Sequence, residues 1–126
     1  PITHGHFISV LATPKEDLSI DEARSLFMSH DRIRVISLDQ GFLGNASVFR
    51  YARDIGHPRG DIYEVPVWED TLVKSGRDLM FGIHIPQESV TIPESIDAIR
   101  AATGMETDRL AAVGQTNKYL GLPYWK

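Results

Sequence analysis

Cysteine is absent from the 126 residues of this sequence. Without a thiol, the chain can form no disulfide bond, no thiolate nucleophile and no cysteine-ligated zinc site. The absence fits a reducing cytoplasm, where structural disulfides are rare, so we expect a cytoplasmic protein. Any chemistry that this chain performs by itself must therefore come from other side chains.

Long apolar runs and an excess of basic residues are also missing. The longest apolar runs are only a few residues, whereas a transmembrane helix needs ~20. The N-terminus shows no basic segment followed by an apolar one, the pattern of a signal peptide. The formal net charge is −4 and the pI is about 5.7, which gives no basic footprint for nucleic acid. We therefore expect neither a membrane nor a nucleic acid as a partner.

The residues that are present fit one ordinary globular domain. Hydrophobic residues make up 42% and charged residues 24% of the chain, as is typical of folded domains. A chain of this length can bury a core without a disulfide or a structural metal. Because no repeat, linker or low-complexity segment is visible, residues 1–126 are predicted to form a single domain.

The beginning of the chain is predicted to alternate strands with a helix. Residues 5–12 form a near-continuous apolar run, which favours a strand buried on both faces. Ser19 followed three residues later by Glu22 is a capping box, the mark of a helix start. Residues 32–38 alternate arginine with apolar residues and predict a second strand. The apolar stripe of the intervening helix comprises Ile20, Ala23, Leu26 and Phe27.

The middle of the chain is predicted to hold a second helix and a strand pair. Asn45 is predicted to cap the helix, which ends near Gly56. Residues 61–68 and 78–85 favour two strands joined as an antiparallel pair. Pro66 cannot donate a hydrogen bond to a strand ladder, so we expect it at an edge or a bulge.

Two helices close the chain. Pro93 near the first position and Gly104 at the end delimit one helix, and Thr107 is predicted to cap the other. The predicted order of elements is βαβαββαα. We therefore expect an α+β fold, with a mixed or antiparallel sheet of about four strands and helices packed on one face.

Two histidines, His4 and His6, stand at the head of the first strand. Residues two apart on a strand face the same side, so both imidazoles are predicted to point one way. They could be metal ligands, but two ligands do not close a site and no matching third motif follows, so we predict no metal. Either could act as a general base at neutral pH. The alternative is a strand end with two ordinary hydrogen-bonded histidines.

Pro1 supports a different hypothesis. A free N-terminal proline carries a secondary amine, which could serve as a base or nucleophile in a tautomerase-like enzyme. The βαβ beginning is compatible with such a fold, and the alternative is an ordinary chain start. Acetylating or extending Pro1 should abolish such an activity.

Two further groups of polar residues are candidate binding elements. The stretch HIPQES, residues 84–89, leaves a predicted strand for a loop, where Gln87 offers an amide and Glu88 a carboxylate. The alternative is a plain polar connection. Arg32 and Arg34 share a predicted strand face and could bind an anion, or they could form a solvated face.

Four stretches together resemble one enzyme family. They are THGHFISV, GFLGNASVFRYARDIGHPRGDIYEVPVWEDTL, LMFGIHIPQESVTIPESIDAIRA and TNKYLG, which follow one another in the family's order. The family is the archaeal type of glyceraldehyde-3-phosphate dehydrogenase. The resemblance covers only the C-terminal part of that enzyme, namely the last segment of the catalytic domain and the C-terminal helices. Neither the family's Gly-rich cofactor-binding turn nor its nucleophilic cysteine occurs here.

The resemblance implies roles for three residues. His6 matches the family's catalytic histidine, which assists a cysteine thiolate, and His4 matches the histidine two positions before it, near the substrate. Gln87 matches a polar residue that is expected near the nicotinamide. Pro86 stands where the family usually has a histidine, and His84 lies two residues earlier.

The resemblance also implies partners. The complete enzyme would use NAD or NADP, glyceraldehyde 3-phosphate and phosphate, and its N-terminal segment would supply the cofactor domain and the cysteine. The isolated chain is then expected to be inactive, because it has no thiol. The alternative is a non-catalytic binding or assembly module of the same fold. We expect a homo-oligomer or a partner segment, since an apolar stripe on the last two helices would otherwise be exposed; it comprises Ile96, Ile99, Ala102, Leu110 and Val113.

Overall fold

A computed structural model describes residues 5–123 as an α+β domain of eight elements in the order βαβαββαα. The predicted order and fold class are confirmed. The elements are β1 (His6–Ala12), α1 (Ile20–Met28), β2 (Ile33–Ile36), α2 (Asn45–Asp54), β3 (Val65–Ser75), β4 (Asp78–Ile85), α3 (Ile92–Ala102) and α4 (Arg109–Leu120).

The four strands form one mixed sheet in the order β1-β4-β3-β2. Strand β4 is antiparallel to both β1 and β3, whereas β2 runs parallel to β3. The parallel pair needs a crossover connection, which α2 supplies between the two strands. The sheet therefore places the start of β1 beside the end of β4.

Strand β1 is an edge strand, and the prediction that it is buried on both faces was wrong. The exposed fractions of Phe7, Ile8 and Leu11 are 41%, 41% and 72%. An apolar run shows that a strand can be buried, but it does not show whether other elements of this chain pack on both of its faces. Phe7 and Leu11 lie on one face of β1 and Ile8 on the other, so both faces are partly exposed in this chain.

Strand β3 is longer than predicted and lies in the sheet interior. The predicted loop after residue 68 is part of the strand, which turns back at Gly76 into β4. The expectation that Pro66 marks an edge or a bulge was wrong, because the irregularity of pairing falls between Trp68 and Val73. Pro66 is tolerated because the pairing of β3 with β4 begins one residue later, at Val67.

The helices contact both faces of the sheet rather than one. The ring of Phe27 on α1 lies 5.0 Å from the ring of Phe81, measured between centroids, and the ring of Phe49 on α2 lies 5.3 Å from that of His84. Phe81 and His84 are three residues apart on β4 and so face opposite sides. Two cores follow: Ala23, Leu72 and Leu79 under α1, and Ile36, Phe42, Val48, Ala52, Ile62 and Trp68 under α2.

The capping box of α1 is confirmed. The Ser19 hydroxyl accepts from the backbone N–H of Glu22, and the Glu22 carboxylate accepts from the backbone N–H of Ser19 at 2.8 Å. The predicted apolar stripe is only partly buried, because Ala23 is 2% exposed whereas Ile20 and Leu26 are 43% and 57% exposed.

Two other predicted caps are displaced by one residue. Gly44 occupies the N-cap position of α2, and Asn45 is the first helical residue. Asp108, not Thr107, caps α4, because its carboxylate accepts from the backbone N–H of Ala111 at 2.8 Å. Both Thr and Asp are good N-caps, so the local sequence did not separate the two choices.

No helix among residues 5–123 is long and apolar enough to span a membrane.

Candidate active site

His6 and Gln87 meet at one end of the sheet. His6 opens β1 and is paired with Ile85, the last residue of β4, so the strand pairing brings position 87 next to it. The Nε2–H of His6 donates to Oε1 of Gln87 at 2.5 Å. The two side chains are 81 positions apart in the chain, and their contact depends entirely on the antiparallel pairing of β1 with β4.

The hydrogen bond fixes what the imidazole of His6 can do. With the proton on Nε2 directed to the Gln87 oxygen, Nδ1 of the neutral ring carries the free lone pair. Both side chains are exposed, so a reacting group can approach them from outside this chain. The arrangement is suited to accepting a proton from such a group.

The loop that carries Gln87 is held from its inner side. The Ser89 hydroxyl donates to the backbone oxygens of Ile62 at 2.5 Å and Pro86 at 3.2 Å. The backbone N–H of Ser89 also donates to the backbone oxygen of Pro86, at 2.9 Å. Pro86 and Ser89 are buried, whereas Gln87 and Glu88 between them are exposed. The loop therefore projects Gln87 outward from an anchored base.

His84 lies beneath this site, and its role was not predicted from the sequence. Its side chain is completely buried, and both ring nitrogens lack a hydrogen-bond partner among residues 5–123. Burial, and to a smaller extent the charge of His6, lowers the pKa of His84 to about 4. Nothing in the sequence indicated this burial, because the sequence does not show that α2 covers the face of β4 on which His84 lies.

The depressed pKa of His84 predicts a loss of stability in mild acid. The unfolded chain binds the proton near pH 6.5 and the folded chain near 4. Neutral, buried His84 therefore makes its full contribution to the free energy of unfolding above pH 6.5. This contribution declines as the pH falls towards 4, by about 3 kcal/mol in total. Urea unfolding at pH values on either side of this window measures the decline. His84→Leu should reduce it markedly, and an unchanged decline in this variant would contradict the assignment to His84.

Two predicted site residues lie outside the described part of the chain. His4 and Pro1 precede residue 5, so the predicted shared face of the two histidines and the proline-amine hypothesis stay predictions. Within residues 5–123, no group of three His, Cys, Asp or Glu side chains is arranged to hold a metal ion.

Arg32 is part of a buried polar network. Its side chain is 6% exposed, and its Nη1 lies 2.8 Å from an Asp97 oxygen and 3.0 Å from a Glu94 oxygen on α3. Its Nε donates to Oδ1 of Asn117 on α4 at 2.8 Å. Arg32 thus ties the start of β2 to both C-terminal helices.

Arg34 has a carboxylate partner as well. Its Nε lies 2.8 Å from Oε1 of Glu64, a side chain with no exposed surface. Arg32 and Arg34 are therefore both neutralised within the fold. The structure favours neither of the two sequence-based predictions for this pair, an anion site or a solvated face.

Comparison with known proteins defines what kind of chain this is. No protein-family model matches it. It is 34% identical over 122 residues to glyceraldehyde-3-phosphate dehydrogenase 2 of Methanosarcina barkeri, 35% identical to the Methanosarcina mazei enzyme and 30% identical to that of Methanothermus fervidus. Each alignment covers 97% of this chain and 36% of the relative.

The chain is an α+β domain that aligns with these dehydrogenases over 97% of its length. More narrowly, the chain is a homologue of archaeal glyceraldehyde-3-phosphate dehydrogenases over nearly its whole length, which confirms the resemblance carried by the four sequence stretches. The chain spans about a third of the length of the curated relatives it matches. This coverage is consistent with a C-terminal part of the enzyme.

Proposed function

We propose that this chain is the C-terminal segment of the catalytic domain, together with the C-terminal helices, of a phosphorylating NAD(P)-dependent glyceraldehyde-3-phosphate dehydrogenase. The observation that carries the proposal is the hydrogen bond from His6 Nε2–H to Gln87 Oε1, on an exposed end of the sheet. The partial coverage of the relatives supports it. An N-terminal segment of the same enzyme brings the cofactor domain and the cysteine.

His6 is the general base in this proposal. A cysteine of the N-terminal segment gives its thiol proton to His6, and the resulting thiolate attacks the aldehyde carbon. Return of that proton to the oxyanion formed gives a hemithioacetal hydroxyl and a neutral imidazole. His6 accepts the proton of that hydroxyl at Nδ1, the nitrogen left free by the bond to Gln87. A neighbouring imidazole also favours the thiolate over the thiol. The family resemblance assigns His4, two positions earlier in the sequence, to the neighbourhood of the substrate.

Gln87 is the nicotinamide-side residue. Its amide is exposed, is carried by an anchored loop and offers both a donor and an acceptor, which fits the carboxamide of a nicotinamide. When bound, the nicotinamide cofactor accepts hydride from the reacting carbon. Gln87 orients the ring of His6 on one side and limits the approach of the cofactor on the other.

Replacing Gln87 with alanine tests this role. We expect weaker cofactor binding, seen as a KM for the cofactor raised about tenfold, because one orienting side chain is removed. The melting temperature should change little, since the side chain is exposed. Glu88→Ala is the matched control on the same loop. Equal losses of cofactor binding and stability would instead indicate a structural loop.

The proposal as a whole is tested on the protein from its native source. An intact mass more than about twice that of this chain, and reduction of NAD or NADP that requires both glyceraldehyde 3-phosphate and phosphate, are expected. A native mass equal to that of this chain would contradict it. The function would then be sought in a separate partner chain or in binding alone.

A non-catalytic binding or assembly module is the second candidate. The observation that favours it is apolar exposure on the last two helices and the loop between them: Ile99, Met105, Leu110 and Tyr119 are 61%, 73%, 77% and 77% exposed. The same surface supports a homo-oligomer or a partner segment in the first proposal. A dilute, stable monomer in analytical ultracentrifugation would contradict both uses of this surface.

A further inference from the structure

A continuous packing path joins α2 to the backbone beside His6. The ring of Phe49 meets the ring of His84 edge-on, with 5.3 Å between centroids and 81° between planes. On its far side, Phe49 abuts Gly60, where an added Cβ would lie 2.5 Å from Cδ1 of Phe49. His84 in turn abuts Gly5, where an added Cβ would lie 2.5 Å from Cε1 of His84.

The two glycines at the ends of this path are required by backbone conformation as well as by space. Gly5 has φ +65° and Gly60 has φ +78°, in the left-handed region that favours glycine. Gly5 directly precedes His6, so the position of the Gly5 backbone sets where the His6 side chain begins. Each of the two rings thus lies against a glycine at which an added Cβ would be both strained and too close to the ring.

His84 is an unusual choice for such a place. A buried polar ring without hydrogen-bond partners destabilises a fold relative to an apolar side chain of the same shape. Such an unpaired group in a folded protein calls for an explanation other than stability. The explanation available here is geometric, because the flat five-membered ring fits between Phe49 and the Gly5 backbone.

We infer that His84 is a positioning residue, whose ring supports the Gly5 backbone and thereby holds His6 in register with Gln87. The inference rests on the proposed function of His6. His84 touches no reacting atom, since it is buried beneath the strand end. It acts through Gly5 as a support for the start of β1.

Kinetics of the complete enzyme test the inference. His84→Ala removes the support, so kcat should fall about tenfold to a hundredfold, with KM for aldehyde and cofactor nearly unchanged. His84→Asn keeps part of the planar group and should recover part of the loss. If His84→Ala does not fold, His84→Asn decides the same question. Unchanged kcat, or KM and kcat altered alike, would overturn the inference.

A double-mutant cycle identifies the contact responsible. Gly5→Ala should also lower kcat. The new Cβ would clash with the His84 ring, and alanine at position 5 would have an unfavourable positive φ. In the double variant G5A/H84A, truncation of His84 removes the clash with its ring, whereas the 2.9 Å approach of that Cβ to the backbone oxygen of Ile85 remains. The combined loss in kcat should therefore be smaller than the product of the two single losses. Independent, multiplicative losses would overturn the inference.

A spectroscopic readout separates this inference from the proposed function. In the complete protein labelled with 15N-histidine, the ring nitrogens of His6 should shift in His84→Ala and in Gly5→Ala, because the bond to Gln87 is disturbed. His30→Asn is the matched control, since His30 precedes β2 at the opposite edge of the sheet. A wild-type protein without dehydrogenase activity would refute the proposed function alone. His6 signals that do not respond would refute the role of His84.

Discussion

We expect turnover of the complete enzyme to fall by ~10²–10⁴ when His6 is replaced by alanine, because the proposed general base is removed. The reason lies in the geometry at the sheet end, where His6 is an exposed imidazole whose Nε2 proton is engaged by Gln87. The alanine variant retains the strand pairing of β1 with β4 but has no group to accept the proton. The quantity to measure is kcat at saturating aldehyde, phosphate and cofactor.

The control for this experiment is a second histidine that lies away from the site. His30 is exposed, and its Nδ1 accepts from the backbone N–H of Arg32 at 3.1 Å. His30→Asn removes an imidazole but retains an acceptor for that N–H, so turnover should be preserved. Unchanged turnover in His6→Ala would mean that the resemblance aligns His6 with the wrong role.

The second large effect concerns stability. Arg32→Ala should lower the free energy of unfolding by about 3–5 kcal/mol, the usual result of removing one partner from a buried ion pair. Arg32 is almost fully buried and bonds to Asp97, Glu94 and Asn117. Asp97 is only 17% exposed, so its carboxylate would be left partly buried without its main counter-charge. Equilibrium urea unfolding measures the loss.

A surface ion pair provides the matched control. Arg24 Nε lies 2.8 Å from a Glu69 oxygen, but the two side chains are 47% and 30% exposed. Because water screens such a pair, Arg24→Ala should change the free energy of unfolding by less than about 1 kcal/mol. Similar small losses for Arg24 and Arg32 would show that the Arg32 network does not hold the C-terminal helices to β2.

Local sequence predicted several elements closely. The bounds of β4 agree with the predicted residues 78–85, because apolar residues alternate strictly there after a turn. The Ser19–Glu22 capping box depends on residues only three apart, so it was also predicted correctly from the sequence. The continuation of β3 after Trp68 was missed, since its acidic and basic residues resemble those of a loop. Pairing of Val73, Lys74 and Ser75 with β4 holds this segment as strand despite its polar residues.

The sequence also predicted only part of the candidate site. The resemblance of the sequence to a known family selected His6 and Gln87, and the absence of cysteine showed that a thiol must come from elsewhere. The positioning role inferred for His84 had no counterpart in the sequence. Alternating polarity indicates which faces of a strand are apolar, but it does not specify which helix covers each face.

The sequence by itself determined the α+β class, the order of elements and the chemical types at the site. The class and the order follow from local periodicity, caps and composition, which act over a few residues, whereas the site residues followed from the family resemblance. Only the tertiary structure decided that His6 meets Gln87, that His84 lies against Gly5 and that Arg32 joins β2 to α3 and α4. Those contacts connect residues far apart in the chain, and they exist because strand pairing and burial in the whole fold bring them together.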